Sequence, residues 1–563
     1  MKQLFKGIKI FIVLSIMSKA GLASRIDPSA TNFKSPVKYK INIAGSFGEL
    51  RSRHFHGGLD IRSNRGGGGD SVFASDAGYV SRIKIQRGGY GKVIYITHAN
   101  GYSTTYAHLD KFNEVLENYI SSIQEANMNY EIEVYPLPHE FPINQSEHIA
   151  FLGNTGHSYG PHLHFEIRDA ITDSPMNPYL FGIKPIDDLA PVITSIRISA
   201  ISPEYQKIWQ ERFLLKKDRK GKSPNVSAEV PSMFAGISIS GYDQVNGSSS
   251  KNGIYQLRMY VDEVLYYSIK MDKFSFEENS QIEAHTDYEI KADDNRTELL
   301  LYRLPGNNLQ VIDYHHNNGL IPVDNIYKNV KIVAEDFDGN TTTHILSVKS
   351  RETLDLGVQH PAGDMIYQGV ESTLSCQNIS ATIPATCLIK NCALDVREIN
   401  GIYYIGRSDI PLLKPIKISV KIPDIMYSNL HKMGFMRLGN EAMFYGQEII
   451  GDSVVIYSDD FGRYGFFIDS MAPKIKPSNF SLKSKATEFK FKISDNVNNR
   501  LKGLPFKYNV WINDKWIACE YKEMNETLYI PIGNLSQGDH YLKINAIDQF
   551  GNEGIWQSAF VKE

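Results

Sequence analysis

Pro161-His162-Leu163-His164-Phe165-Glu166-Ile167-Arg168 alternates polar and apolar side chains from His162 onward. A period of two belongs to a β-strand, so the stretch reads as a half-buried strand. His162, His164 and Glu166 share one face, and Leu163, Phe165 and Ile167 share the other. Same-face neighbours stand about 6.6 Å apart at about 3.3 Å per residue, so one histidine can ligate a metal while the other reaches a water beside it. Taken alone, such a face also suits a strand whose polar side merely meets solvent.

Working outward, Lys92 to His108 carries two more alternating runs joined at Asn100-Gly101, a strong hairpin signal. The return run ends in Tyr106-Ala107-His108 and delivers a third polar histidine to the end of a strand. Earlier stands His56-Gly57-Gly58-Leu59-Asp60. Histidine and aspartate are both zinc donors, but four residues of extended chain span roughly 13 Å. A glycine-permitted bend at Gly57-Gly58 is therefore expected if the two share an ion. His98, just before the turn, reads as structural. His54 has no Asp four residues on and reads as a rim or structural residue.

The whole chain has 563 residues, enough for roughly three to five domains. Its 42% hydrophobic and 22% charged residues are those of a folded protein. The 60 Lys and Arg nearly cancel the 63 Asp and Glu, leaving a formal charge of -3, so no basic field exists to hold nucleic acid. Residues 1–23 read as a signal peptide: Lys2, Lys6 and Lys9 precede an apolar run from Ile10 to Met17 and small residues ending at Ala23. That run is too short for a permanent membrane anchor, so the expected location is outside the cytoplasm, in the periplasm or cell envelope. Cys376, Cys387, Cys392 and Cys519 are too few for a disulfide scaffold; a local disulfide and free buried thiols both remain open.

Beyond the histidine-rich region, short alternating segments such as Tyr255 to Val261, Val330 to Ala334, Tyr508 to Ile512 and Tyr541 to Ala546 suggest β-sandwich modules. Two sequence pairs bracket them. Asp187-Asp-Leu-Ala-Pro recurs as Asp469-Ser-Met-Ala-Pro, and Ala334-Glu-Asp-Phe-Asp-Gly-Asn340 recurs as Ala546-Ile-Asp-Gln-Phe-Gly-Asn552. The expected fold class is mostly β. The division is 24–185, with an insertion at 111–142, then a sandwich at 186–350, a β module of uncertain type at 351–468, and an immunoglobulin-like sandwich at 469–563.

Together, His-x-Gly-x-Asp, Tyr-x-His and His-x-His in that order resemble the lysostaphin-type, LytM-like zinc endopeptidases. The resemblance covers about residues 47–169 and includes Asp76-Ala-Gly-Tyr-Val80, Gly89-Tyr-Gly91 and Gly153-Asn-Thr-Gly156 leading to Gly160-Pro-His-Leu-His164. It implies an antiparallel β-sheet with a metal groove, one Zn2+ held by His56, Asp60 and His164, and His162 and His108 as catalytic histidines. It further implies a peptidoglycan peptide as substrate. Residues Ile143 to Ile149 lack the glycine turn usual in the family, and the insertion shows helical apolar spacing at Phe112, Val115, Leu116, Ile120 and Ile123. The expected function is a secreted zinc endopeptidase acting on peptidoglycan cross-links, with an envelope protein as a partner for the C-terminal modules. The alternative is a non-catalytic LytM-like regulator or scaffold that binds the wall or activates another hydrolase.

Overall fold

The computed structural model describes residues 27–563 apart from 217–223, 225, 295, 352–362, 440–441 and 498–505. The segment read as a signal peptide lies outside the described residues. The architecture is mostly β, built largely from antiparallel sheets. Among the described residues no helix is long and apolar enough to cross a membrane.

The first region contains strands β1 (Ile43–Gly45), β2 (Leu59–Arg62), β3 (Ser71–Phe73), β4 (Gly78–Ile85), β5 (Lys92–His98), β6 (Tyr102–Ala107) and β7 (Leu109–Phe112). After these come helix α1 (Glu114–Asn127), then β8 (Ile132–Val134), β9 (Pro142–Ile143), β10 (His148–Leu152), β11 (His162–Asp169) and β12 (Pro175–Met176). A nine-stranded sheet runs β1-β2-β11-β6-β5-β4-β8, with β12 on β11 and β9 on β4; β3-β10-β7 form a three-stranded sheet. The hairpin read at Asn100-Gly101 is β5–β6, with Thr97 opposite Ser103. Its apolar residues Ile94, Ile96, Tyr102 and Tyr106 enter a core with Leu59, Ile61, Leu163, Phe165 and Ile167. Three strands drawn from distant sequence thus lie side by side in the order β2, β11, β6.

Helix α1 forms where the apolar spacing placed it. Asn113 caps it by accepting from the Leu116 backbone N–H. Leu116 and Ile120 pack into the core, whereas Val115 is 64% exposed. The helix is therefore packed on the sheet through a narrower face than the spacing suggested.

Further along the chain, separate apolar cores gather residues 193–348, 366–464 and 489–560; the first and last each draw on two sheets and the middle one on three. Phe47 and Phe55 of the first region enter the core at 193–348. All four cysteines are free thiols. The expected strands are present: Gln256–Val261, Lys328–Glu335, Lys507–Ile512 and Gly538–Ile547.

Candidate metal centre

In the β2–β11 ladder His164 is directly opposite Asp60, and in the β11–β6 ladder it is directly opposite Ala107, the residue before His108. Register alone therefore brings Asp60, His164 and His108 together. His56 joins them from the loop before β2. The chain bends at Gly58 as expected, with no positive φ at Gly57 or Gly58; both glycines also stand where the chain passes against β11. A Cβ on Gly58 would stand 2.1 Å from the Phe165 carbonyl oxygen, and one on Gly57 would stand 2.9 Å from Glu166 Oε1.

The donor atoms form a tight triangle. His56 Nε2 is 3.0 Å from Asp60 Oδ1 and 3.0 Å from His164 Nδ1, and His164 Nδ1 is 2.9 Å from Asp60 Oδ1. The far nitrogen of each ring is engaged elsewhere. His56 Nδ1–H donates to the Ser46 carbonyl at 2.7 Å, and His164 Nε2–H donates to Glu166 Oε1 at 2.6 Å. With those tautomers, two imidazole lone pairs and a carboxylate oxygen meet with no proton among them, which only a cation relieves. His56, Asp60 and His164 lie close enough to hold one metal ion. Their two nitrogens and one oxygen suit Zn2+, which three protein ligands would hold with a position left open.

The site is desolvated, with His56, Asp60, His108 and His164 each between 4% and 7% exposed. Burial acts to raise the Asp60 carboxyl, but His56 and the surrounding histidine hydrogen bonds hold it well below the usual range. Burial acts to lower His164, yet its bonds to Asp60 and Glu166 push it up to about 9.

His162 begins β11. Its Nδ1–H donates to the Gly160 carbonyl at 2.8 Å, leaving Nε2 as a lone pair 3.4 Å from Asp60 Oδ1. The His108 and His162 rings lie 4.7 Å apart. His108 has the left-handed φ of 59°, fixed by its N–H donating to Tyr90 O and its Nδ1–H donating to Thr155 O at 2.8 Å. Burial first, then His162 and His164, lower its pKa to about 3, so its ring is neutral near pH 7.

Several supporting residues had no role assigned from sequence. Glu166, read as part of a half-exposed polar face, is fully buried. Tyr90 OH donates to it at 2.5 Å, Arg168 Nε donates to its other oxygen, and the Tyr90 ring stacks on His164. The polar face is thus covered rather than solvated. Arg51 pairs with Asp60 Oδ2 at 2.8 Å. Tyr90 and Thr155 sit in the two glycine stretches of the sequence pattern, which press together: a Cβ on Gly156 would stand 2.3 Å from Gly91 N. His98 is structural, bonded to Ala77 O and Thr104 Oγ1. His54 is exposed and stays outside the donor triangle.

Residues 54–122 match the model of Peptidase family M23. That segment contains His56, Asp60 and His108, and the His162-x-His164 motif lies beyond it. A curated relative, the "DD-carboxypeptidase/endopeptidase Mpg" of Neisseria meningitidis, is 30% identical over 177 residues, covering 31% of this chain and 32% of the relative. An "Uncharacterized metalloprotease" of Haemophilus influenzae is 31% identical over 123 residues, covering 22% and 20%. The chain aligns with only about a third, or less, of the length of these curated relatives. Among solved structures, a zinc-containing peptidase from Vibrio cholerae is 23% identical with a TM-score of 0.20, covering 28% of this chain and 41% of that one. The lysostaphin catalytic domain of Staphylococcus simulans is 21% identical with a TM-score of 0.19, covering 25% and 91%. Residues 54–122 thus carry a Peptidase family M23 sequence, and the chain's curated relatives are named as a metalloprotease and as carboxypeptidase/endopeptidases.

Proposed function

We propose that this protein is an exported zinc-dependent endopeptidase that hydrolyses peptide bonds of peptidoglycan cross-links. The observation that carries the reading is the triangle of His56 Nε2, Asp60 Oδ1 and His164 Nδ1 at 2.9 to 3.0 Å, with His162 and His108 beside it. The name of the Neisseria relative, a DD-carboxypeptidase/endopeptidase, supports a bond between D-amino acids as the target. Export rests on the sequence of residues 1–23.

When bound, the metal supplies Lewis acidity to the scissile carbonyl and to a water beside it. The chain's own groups do the rest. His162 presents Nε2 as a lone pair because Nδ1–H is held by Gly160 O, so Nε2 accepts the water's proton and later passes it to the leaving amine. His108, neutral and with Nδ1–H held by Thr155 O, presents Nε2 as an acceptor that orients the water. This favours water orientation over oxyanion donation as its role at neutral pH. Glu166 fixes the His164 ring, and Arg51 holds the second Asp60 oxygen.

The test is release of new amino groups from defined cross-linked muropeptides by the purified mature protein. Wild type is expected to release them with about one zinc bound, and His162→Ala to abolish release while retaining the zinc. Full activity in His162→Ala would overturn the base assignment. An inactive wild type that stimulates another wall hydrolase would overturn the enzyme reading in favour of a regulator.

A further inference from the structure

The repeated sequence brackets converge in space on two matching carboxylate clusters, Asp187–Asp243–Asp336 and Asp469–Asp495–Asp548. In each, one ligand atom per residue lies within 4.8 Å of the others. The framework is equivalent in both. Asp187 and Asp469 precede the strands Val192–Ile201 and Lys474–Pro477, which pair antiparallel with Phe234–Tyr242 and Glu488–Ser494. Asp243 and Asp495 directly follow those second strands, in the related stretches Asp243-Gln-Val245 and Asp495-Asn-Val497. Asp336 and Asp548 directly follow Lys328–Glu335 and Gly538–Ile547. Even the local bonds correspond. Asp187 Oδ1 accepts from Leu189 N–H and Asp469 Oδ1 from Met471 N–H, while Asp336 accepts from both nitrogens of Asn340 and Asp548 from both nitrogens of Asn552.

A fold does not need three carboxylates turned on one another, and what these lack is telling. Asp469 is fully buried and its Oδ2 has no hydrogen-bond partner; Asp243 is 7% exposed and its Oδ1 has none; both Asp495 oxygens have none. Asn252, 3% exposed, leaves its side-chain oxygen and nitrogen unpartnered beside Asp243, on the wall of the same small cavity as Asp187 and Tyr179. Among the described residues, no Lys, Arg or His forms an ion pair with any of the six carboxylates; Lys184, nearby, pairs with Asp338. Buried anionic oxygens without donors or counter-charge are costly unless a cation joins them.

The geometry points to two equivalent cation sites, one in each of these β modules, that bind a hard divalent ion of the calcium class. The donors are all oxygens, three of them carboxylates, with no nitrogen or sulfur to favour zinc. They come from chain segments joining different strands of each module, so an ion there ties together the ends of its two sheets. This inference is independent of the peptidase reading.

The test is equilibrium dialysis of the full mature chain against radioactive calcium, after chelator treatment and reloading with one zinc. Wild type is expected to bind two calcium ions, the Asp243→Asn/Asp336→Asn variant one, the Asp495→Asn/Asp548→Asn variant one, and the combined variant none. Circular dichroism checks that each variant is folded. A second readout avoids ligand substitution: terbium bound at the first site is excited through Tyr179, so Tyr179→Phe is expected to reduce tyrosine-sensitised emission while keeping two calcium ions. No calcium bound by wild type at millimolar concentration, or two ions still bound by the combined variant, would overturn the proposal.

Discussion

Asp60 and His164 occupy directly opposed positions on the neighbouring antiparallel strands β2 and β11, and Oδ1 of one lies 2.9 Å from Nδ1 of the other. Two residues more than a hundred positions apart are thus set by strand register, and a slip of one residue would turn one of them to the opposite face. The donor pair is as rigid as the ladder that carries it.

That rigidity depends on Glu166, which receives the His164 Nε2–H inside the fold. Glu166→Gln removes the charge that orients and enriches the ring, and it leaves Arg168 without its buried partner. Zinc affinity is expected to fall roughly 10- to 100-fold, measured by competition with a chromogenic chelator at pH 7.5. Unchanged affinity would show that His164 is positioned by packing alone.

Gly58→Ala places a methyl against the Phe165 carbonyl at the end of the β2–β11 contact. The strands must separate or the loop carrying His56 must shift, at a cost of about 1–3 kcal/mol. Urea unfolding is expected to show this loss, together with weaker zinc binding. A neutral substitution would contradict the close approach.

Ser146 carries a φ of 64° in the turn between β9 and β10, within the stretch 143–149 that lacks a glycine turn. Ser146→Gly removes the Cβ strain of the left-handed conformation, less the extra chain entropy of glycine, for a gain of about 0.5–1 kcal/mol. Thermal unfolding is expected to shift upward with zinc content unchanged. A downward shift would contradict this reading of the turn.

His285 is 1% exposed with Nδ1 unpartnered, and burial lowers its pKa from 6.5 to about 4. The folded state holds the neutral ring. Its contribution is complete above pH 6.5 and is lost as pH falls from 6.5 toward 4, up to about 3 kcal/mol. His285→Leu is expected to lose less stability than wild type between pH 7 and pH 4.5 in urea titrations. Equal losses would assign the acid sensitivity to other groups.

Much of the site was legible because strand alternation and hairpin chemistry are local. His162-Leu-His164, Tyr106-Ala-His108 and the Asn100-Gly101 turn declared their faces before any contact was known. What covers those faces was not local. Glu166 looked like a half-exposed polar residue because Tyr90, which caps it, lies on a distant loop, and Arg168, on its own strand, carried no sign of folding back. A bend at Gly58 was legible, whereas the second demand on Gly57 and Gly58 was not, because the obstruction is the distant strand β11. The repeated brackets at Asp187, Asp336, Asp469 and Asp548 were visible as paired boundaries of the β modules, whereas their convergence required Asp243 and Asp495, which follow other strands.

One zinc is expected among His56, Asp60 and His164. Anomalous diffraction from crystals of the purified protein at the zinc edge tests it directly. One strong peak is expected about 2.0–2.2 Å from His56 Nε2, Asp60 Oδ1 and His164 Nδ1. A zinc-replete crystal with no peak there, or with its peak on other residues, would contradict it.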